Sequence, residues 1–332
     1  MEGQNYKPKL SGSQTADMIT FAQLRPDKRV ECITRDGFEV IGIRPPPSTS
    51  PLLFRPQPQA QVLNASSTLA LASGRILGPP SVSYDNTSVN NQPGKWNLRD
   101  VRKYTKSGRA ARWAVLPIDN TGTHTAWNQT LMPRLDSLMR TRGFAQQGHG
   151  RMEHPVLSSE IHRAGLTARF ADLRHRGYDL LFVLLPKDGP ELYNLIKAVG
   201  DVDVGIHTVC MLESKILKKA PQFDQQHWDN ILLKANLKCG GVNHKLKFDT
   251  SDILSRWHTM VVGLDVTHAA PEARDTSASI IGMVANVDNH LAQWPATICF
   301  QPHESMEIVD DIACFQSLLE PHLKRYAKAN SR

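Results

Sequence analysis

The chain has 332 residues, enough for two domains of ordinary size, with 40% hydrophobic and 21% charged residues. That balance excludes wholesale disorder, no apolar run reaches the roughly 18 residues that span a bilayer, and the polar start MEGQNYKPKL lacks the apolar core of a signal peptide. A net charge of +7 leans toward a polyanionic partner, although many proteins carry as much for solubility alone; five scattered cysteines without a CxxC pair fit neither a zinc site nor a disulfide framework, so a reducing, cytoplasmic setting and no membrane partner are expected.

The first hundred residues read as an extended linker. Pro45, Pro46, Pro47, Pro51, Pro56 and Pro58 interrupt a Ser/Gln/Pro stretch that continues neither a helix nor a central strand. Alternation is brief, at 38–43 and 61–63, and residues 85–93 are rich in Asn and Ser. From Trp113 the texture changes. Residues 114–118 form a short apolar strand, followed by a helical pattern through Leu131, Leu135, Leu138 and Met139. The run 180–185 is continuously apolar and ends at Pro186, as suits a parallel strand covered on both faces. Pro190 then opens a helix from its favoured first position. A further strand is expected at 204–209 and a helix at 225–238, stopped by Gly240 and Gly241. Strands alternating with helices predict an α/β layer with a parallel sheet. Beyond Thr259, strands are expected at 260–266, 279–285 and 296–300, then a helix from about 306 to 326.

Two helices carry the candidate binding chemistry. Tyr193 and Lys197 are four residues apart and share a face, and Lys234 and Lys238 repeat the spacing. A terminal phosphate is nearly a dianion near neutral pH, and converging cations with a hydroxyl such as Tyr193 or Thr208 would hold it. Spacing alone favours the blander reading, a solvated helix face. Likewise Asp265, near the end of an apolar strand, is of the type that holds Mg²⁺ in a two-metal nuclease, yet a lone Asp there is more often a turn residue.

The ordered set LLFVLLPKDGPELYNLIKAVGD, HTVCM, LLKANLKCGGVNHKL and VVGLDVTHAAP resembles eukaryotic Argonaute proteins. Upstream, SGSQTADMI, SGRILGPPSVSY and GKWNLRD look like the linker that precedes the family's middle (MID) domain. The resemblance implies a linker over 1–110, a Rossmann-like MID domain over 111–255, and the N-terminal part of a ribonuclease H-like PIWI domain over 256–332. It implies that Tyr193, Lys197, Lys234 and Lys238 grip the 5′ phosphate of a small guide RNA. Val209 stands where relatives often have Gln, so Thr208 is expected to supply that contact. Lys187, Asp188, Gly189 and Pro190 match the loop that reads the guide's first base. Asp265 matches the first catalytic, metal-binding aspartate and Glu307 the glutamate that completes the site, with Glu304 one turn away as the alternative.

The third acidic ligand of the family would follow Arg332, so the chain by itself is expected to bind Mg²⁺ weakly and not to cleave RNA. The intact parent would pair guide with target RNA, cut it, and recruit silencing cofactors. Two other readings stand beside this one: a scaffold for silencing partners that binds no RNA, and a ribonuclease completed in trans. Without the resemblance, a sugar- or nucleotide-binding parallel α/β domain would be the default, its ligand at the strand C-terminal ends. An unpaired sheet edge after residue 258 predicts weaker hydrogen-exchange protection there than in the middle domain.

Overall fold

The computed structural model describes residues 12–40, 69–85, 87–89, 98, 101–110, 112–119, 127–144, 148–217, 224–246, 259–268, 278–301 and 314–331. Two compact units, Met1–Leu77 and Gly78–Arg332, divide the chain. The first unit contains α1 (Gly12–Ala22), α2 (Pro26–Cys32), a π-helical turn (Ile33–Gly37) and α3 (Phe38–Val40). This part of the expected linker is therefore helical. Pro26 occupies the first turn of α2, and Glu31 pairs with Lys28 and Arg35 at helical spacing, so local forces suffice. Phe21 is 86% exposed, so packing within the unit is not what makes α1 a helix. The proline-rich segment at 45–58 and the alternation at 61–63 lie outside the described residues.

In the second unit, β1 (Val82–Tyr84) forms an antiparallel ladder with β2 (Thr87–Val89) on one side. Its other side pairs with a short strand near the end of the α/β layer, described below. The layer itself begins at β3 (Trp113–Pro117). It continues through α4 (Met132–Thr141), β4 (Arg151–Met152), α5 (Arg163–His175) and β5 (Leu180–Leu185). Then come α6 (Pro190–Lys197), β6 (His207–Leu212), α7 (Glu213–Leu217) and α8 (Gln225–Lys238). The four strands are parallel, in the order β4-β3-β5-β6. After α8, β7 (Lys245–Leu246) supplies the second partner of β1.

The sheet is apolar on both faces because both are covered. All six residues of β5 are buried, and they alternate between two cores. Leu180, Phe182 and Leu184 pack with Leu135 and Met139 of α4 and with Trp228 and Leu232 of α8. Leu181, Val183 and Leu185 pack with Leu166 and Phe170 of α5 and with Ile196. Each such side chain contributes about 1.5–3 kcal/mol by leaving water. One charged pair crosses this core: Arg142 donates to Asp229 at 2.8 and 2.7 Å, tying the end of α4 to α8. Asn236 of α8 accepts from the Gly108 amide at 2.6 Å and donates to Lys106 O and Asn243, which anchors the helix along its length.

One strand falls later than its apolar pattern suggests. Residues 198–204 continue α6 as a π-helical turn, and the strand expected at 204–209 runs instead from His207 to Leu212. Gly205, in the left-handed conformation at φ 73°, turns the chain from one to the other.

The C-terminal part is a three-stranded antiparallel sheet ordered β10-β9-β8, made of β8 (Val262–Thr267), β9 (Ser279–Ala285) and β10 (Ala296–Gln301). Helix α9 (Phe315–Asn330) covers one face, with Leu318 against Ile281 and Met283. Thr297 donates its hydroxyl to Leu318 O at 3.1 Å. The opposite face is open: Ile298 is 63% and Phe300 67% exposed. The helix expected from 306 is described only from Phe315, and residues 302–313 lie outside the described set.

Candidate functional site

The four expected phosphate ligands come from α6 and α8, and the buried β6 residue Thr208 lies between them in the expected set. Lys197 ends α6 and donates its ammonium to Thr208 O and to Thr208 Oγ1, both at 2.7 Å. Thr208 has no exposed surface, so its hydroxyl orients Lys197 from below. Gly200 allows this approach: a Cβ there would stand 2.9 Å from Thr208 Cγ2. Tyr193 lies one turn earlier on α6, 45% exposed, with the Lys197 ammonium 5.6 Å from its ring centroid.

Burial pushes the pKa of Lys197 below its ordinary value, and the nearby Lys238 ammonium lowers it further, against the opposing influence of Cys210 and Asp201. His207 is lowered in the same way, by burial first and then by Lys238. Thus the ends of α6 and α8 bring two ammonium groups together beside β6. Neither forms an ion pair with a carboxylate among the described residues. Lys234 is exposed one turn earlier on α8, with no hydrogen bond or ion pair to Lys197, Tyr193 or Thr208 among the described residues. The sequence reading missed Cys210 and His207 as neighbours of this cluster. Alternation along β6 places Cys210 on the Thr208 face, but the neighbourhood of His207 and Lys238 depends on how α8 packs. Val209 faces the other way, buried at 5% exposure among Trp228 and Leu232.

The location differs from the sequence expectation in one respect. Lys187, Asp188, Gly189 and Pro190 do lie just past the C-terminal end of β5, with Lys187 and Asp188 exposed. Thr208, however, is the second residue of β6 and pairs with Leu181 near the start of β5. The ammonium cluster therefore sits toward the N-terminal ends of these parallel strands. The default expectation of a ligand at the C-terminal ends does not hold for it, because α6 runs back along the strands before delivering Lys197.

Asp265 is exposed on β8, where it pairs with Gly282 of β9. Residues directly opposite share a face, so Asp265 lies on the same open side as Ile280, Ile298 and Phe300. One of its oxygens accepts from the Val266 amide at 3.0 Å. Glu307 and Glu304 lie outside the described residues. No group of three or more His, Cys, Asp or Glu side chains among the described residues is arranged to hold a metal. Among the described residues Asp265 by itself does not make the oxygen set that Mg²⁺ requires.

A Rossmann-like parallel sheet with a basic cluster on its helices, followed by an antiparallel ribonuclease H-like meander, is the class of fold that the described residues define. The comparisons agree. The Piwi domain family matches residues 180–332, from the first residue of β5 onward. The argonaute of Schizosaccharomyces pombe is 28% identical over 95% of this chain and 37% of its own length. The MID-PIWI domains of the N. crassa QDE-2 Argonaute superpose with a TM-score of 0.52 at 29% identity, covering 70% of this chain and 61% of that one. Kluyveromyces polysporus Argonaute, solved with a guide RNA, superposes with a TM-score of 0.59 at 20% identity, covering 77% of this chain and 32% of that one. The chain is thus similar to Argonaute proteins over nearly its whole length. It spans about a third of the length of the S. pombe relative.

Proposed function

We propose that this chain binds the 5′-phosphorylated end of a small guide RNA through Lys197, Lys238 and Tyr193, with Lys234 at the rim and Thr208 acting through Lys197. The observation that carries the reading is the pair of ammonium groups held beside β6, with Lys197 depressed in pKa by burial and by its neighbour. Two like charges brought together at partial burial are costly unless an anion relieves them, and a phosphate dianion does so while accepting hydrogen bonds from both. The Tyr193 ring, nearly half exposed, offers a surface for the terminal base. Exposed Lys187 and Asp188, with Gly189 and Pro190, form the loop assigned to the identity of that base.

For the whole protein, the reading extends to a Mg²⁺-dependent cut in target RNA, with Asp265 and Glu307 as two of its carboxylates, in association with silencing cofactors. The exposure of Asp265 on an open sheet face is compatible with such a site. All five cysteines are free, in keeping with a cytoplasmic setting.

The test is a titration of this chain with a short RNA carrying either a 5′ phosphate or a 5′ hydroxyl. The phosphate is expected to tighten binding at least tenfold, and Lys197→Ala or Lys238→Ala to abolish that advantage while leaving 5′-hydroxyl RNA bound as before. Equal affinities for the two RNAs would overturn the assignment.

A further inference from the structure

A second basic site lies at the N-terminal edge of the parallel sheet, away from the residues assigned to the guide phosphate. A pocket of about 330 Å³ opens there between the start of β3, the start of β4 and the residue pair before β5. Its wall is made by Arg112, Trp113, His149, Gly150, Arg151 and Tyr178. Strand order puts it two strands from β6, on the order of 10 Å across the sheet.

The chemistry of this wall is uneven. Arg112 lies with its guanidinium 5.7 Å from the Tyr178 ring centroid and donates one N–H to Arg176 O at 2.7 Å. Arg151 is exposed, and neither it nor Arg112 forms an ion pair with a carboxylate among the described residues. The carboxylates nearby are already engaged. Glu153 accepts from Arg176 at 2.7 Å and from the Tyr178 hydroxyl at 2.8 Å. Asp136 takes His149 at 2.8 Å, Arg140 at 3.0 Å and the Gly150 amide at 3.2 Å. Asp179 takes Arg174 at 3.2 Å and the Arg112 amide at 3.3 Å. Trp113 is 2% exposed, and its indole N–H has no hydrogen-bond partner among the described residues. A buried N–H without an acceptor costs on the order of 1–3 kcal/mol, so the site is short of acceptors and rich in donors. The His149 side chain, 84% exposed, adds an aromatic plane at the mouth.

We propose that this pocket binds a nucleoside monophosphate group, its phosphate on Arg112 and Arg151 and its base against the exposed His149 ring, beside the buried edge of Trp113. Planar guanidinium forks suit phosphate oxygens, the exposed imidazole plane of His149 suits a base, and the volume is at the small end of ligand pockets. The group is supplied either by a free nucleotide or by one nucleotide of an RNA strand. The proposal is independent of the guide-phosphate reading, because none of its residues belongs to that cluster.

The test uses the full chain carrying Lys197→Ala and Lys238→Ala, so that the first site is silent, and adenosine 5′-monophosphate as the probe. Binding is followed by calorimetry and by the Trp113 indole N–H signal, assigned with Trp113→Phe. The nucleotide is expected to shift that signal, to bind at least tenfold tighter than adenosine, and to lose at least tenfold in affinity with Arg151→Glu, an exposed change that leaves the core intact. His149→Ala is expected to weaken binding several-fold. Displacement of the nucleotide by a 5′-hydroxyl RNA trimer assigns the site to RNA, and failure to displace assigns it to free nucleotide. No detectable binding, equal binding of adenosine, or an Arg151→Glu protein within twofold of its parent would overturn the proposal.

Discussion

The two larger layers of the second unit, the parallel sheet and the β10-β9-β8 sheet, are built from similarly apolar strands and meet water in different ways. The parallel sheet is sandwiched: α4 and α8 cover one face, α5 and α6 the other, and β5 has no exposed residue. The antiparallel sheet is covered once, by α9, and its far face presents Ile280, Ile298 and Phe300 around Asp265. Burial contributes stability only where a second layer exists to receive the side chain, so equal hydropathy along two strands does not mean equal energy. Functional groups divide accordingly. In the sandwiched sheet, charge is held at partial burial by fixed partners, as with Lys197 on Thr208. On the open sheet, Asp265 stands exposed.

The largest effect should come from the charged pair inside the sandwiched core. Arg142 and Asp229 have side-chain exposures of 2% and 4%, so Asp229→Ala would strand a buried guanidinium. A loss of about 3–5 kcal/mol in urea unfolding is expected, with guide binding falling as α8 loosens. A loss below about 1 kcal/mol would mean that water reaches Arg142.

Next comes a matched pair of aromatic truncations, one per sheet. Phe182→Ala removes a fully buried ring and should cost about 3–5 kcal/mol, whereas Phe300→Ala should stay within about 0.5 kcal/mol. Hydrogen exchange reads the same contrast without mutation, with amides of β5 more protected than those of β10. Equal costs, or equal protection, would indicate that the open face is covered in solution.

The smallest and most specific effect concerns pH. The pKa of Lys197 is lowered, so its charge is complete only below that value and is lost as pH rises through it, short of the ordinary lysine range. The phosphate loses its second charge as pH falls through about 6. The advantage of a 5′ phosphate over a 5′ hydroxyl should therefore be bell-shaped in pH. Arginine stays charged throughout, so Lys197→Arg should flatten the alkaline limb and leave the acid limb in place. An unchanged alkaline limb would assign it to another group.

By itself the sequence determined what rests on local pattern. The continuous apolar run at 180–185, Pro190 at a helix start and the glycine pair after Lys238 each specify an element through short-range sterics and periodicity, and those elements lie where expected. The i,i+4 spacing also put Tyr193 and Lys197 on one face, which their 5.6 Å contact bears out. Tertiary structure decided the rest. That Lys238 rather than Lys234 acts on Lys197 follows from how α8 packs against the sheet, a docking set by Asp229, Asn236 and Trp228 at long range. The N-terminal position of the ammonium cluster depends on α6 doubling back. The basic pocket draws on residues near 112, 150 and 178, which no periodicity connects, and only the parallel pairing of β3 with β4 and β5 brings them together.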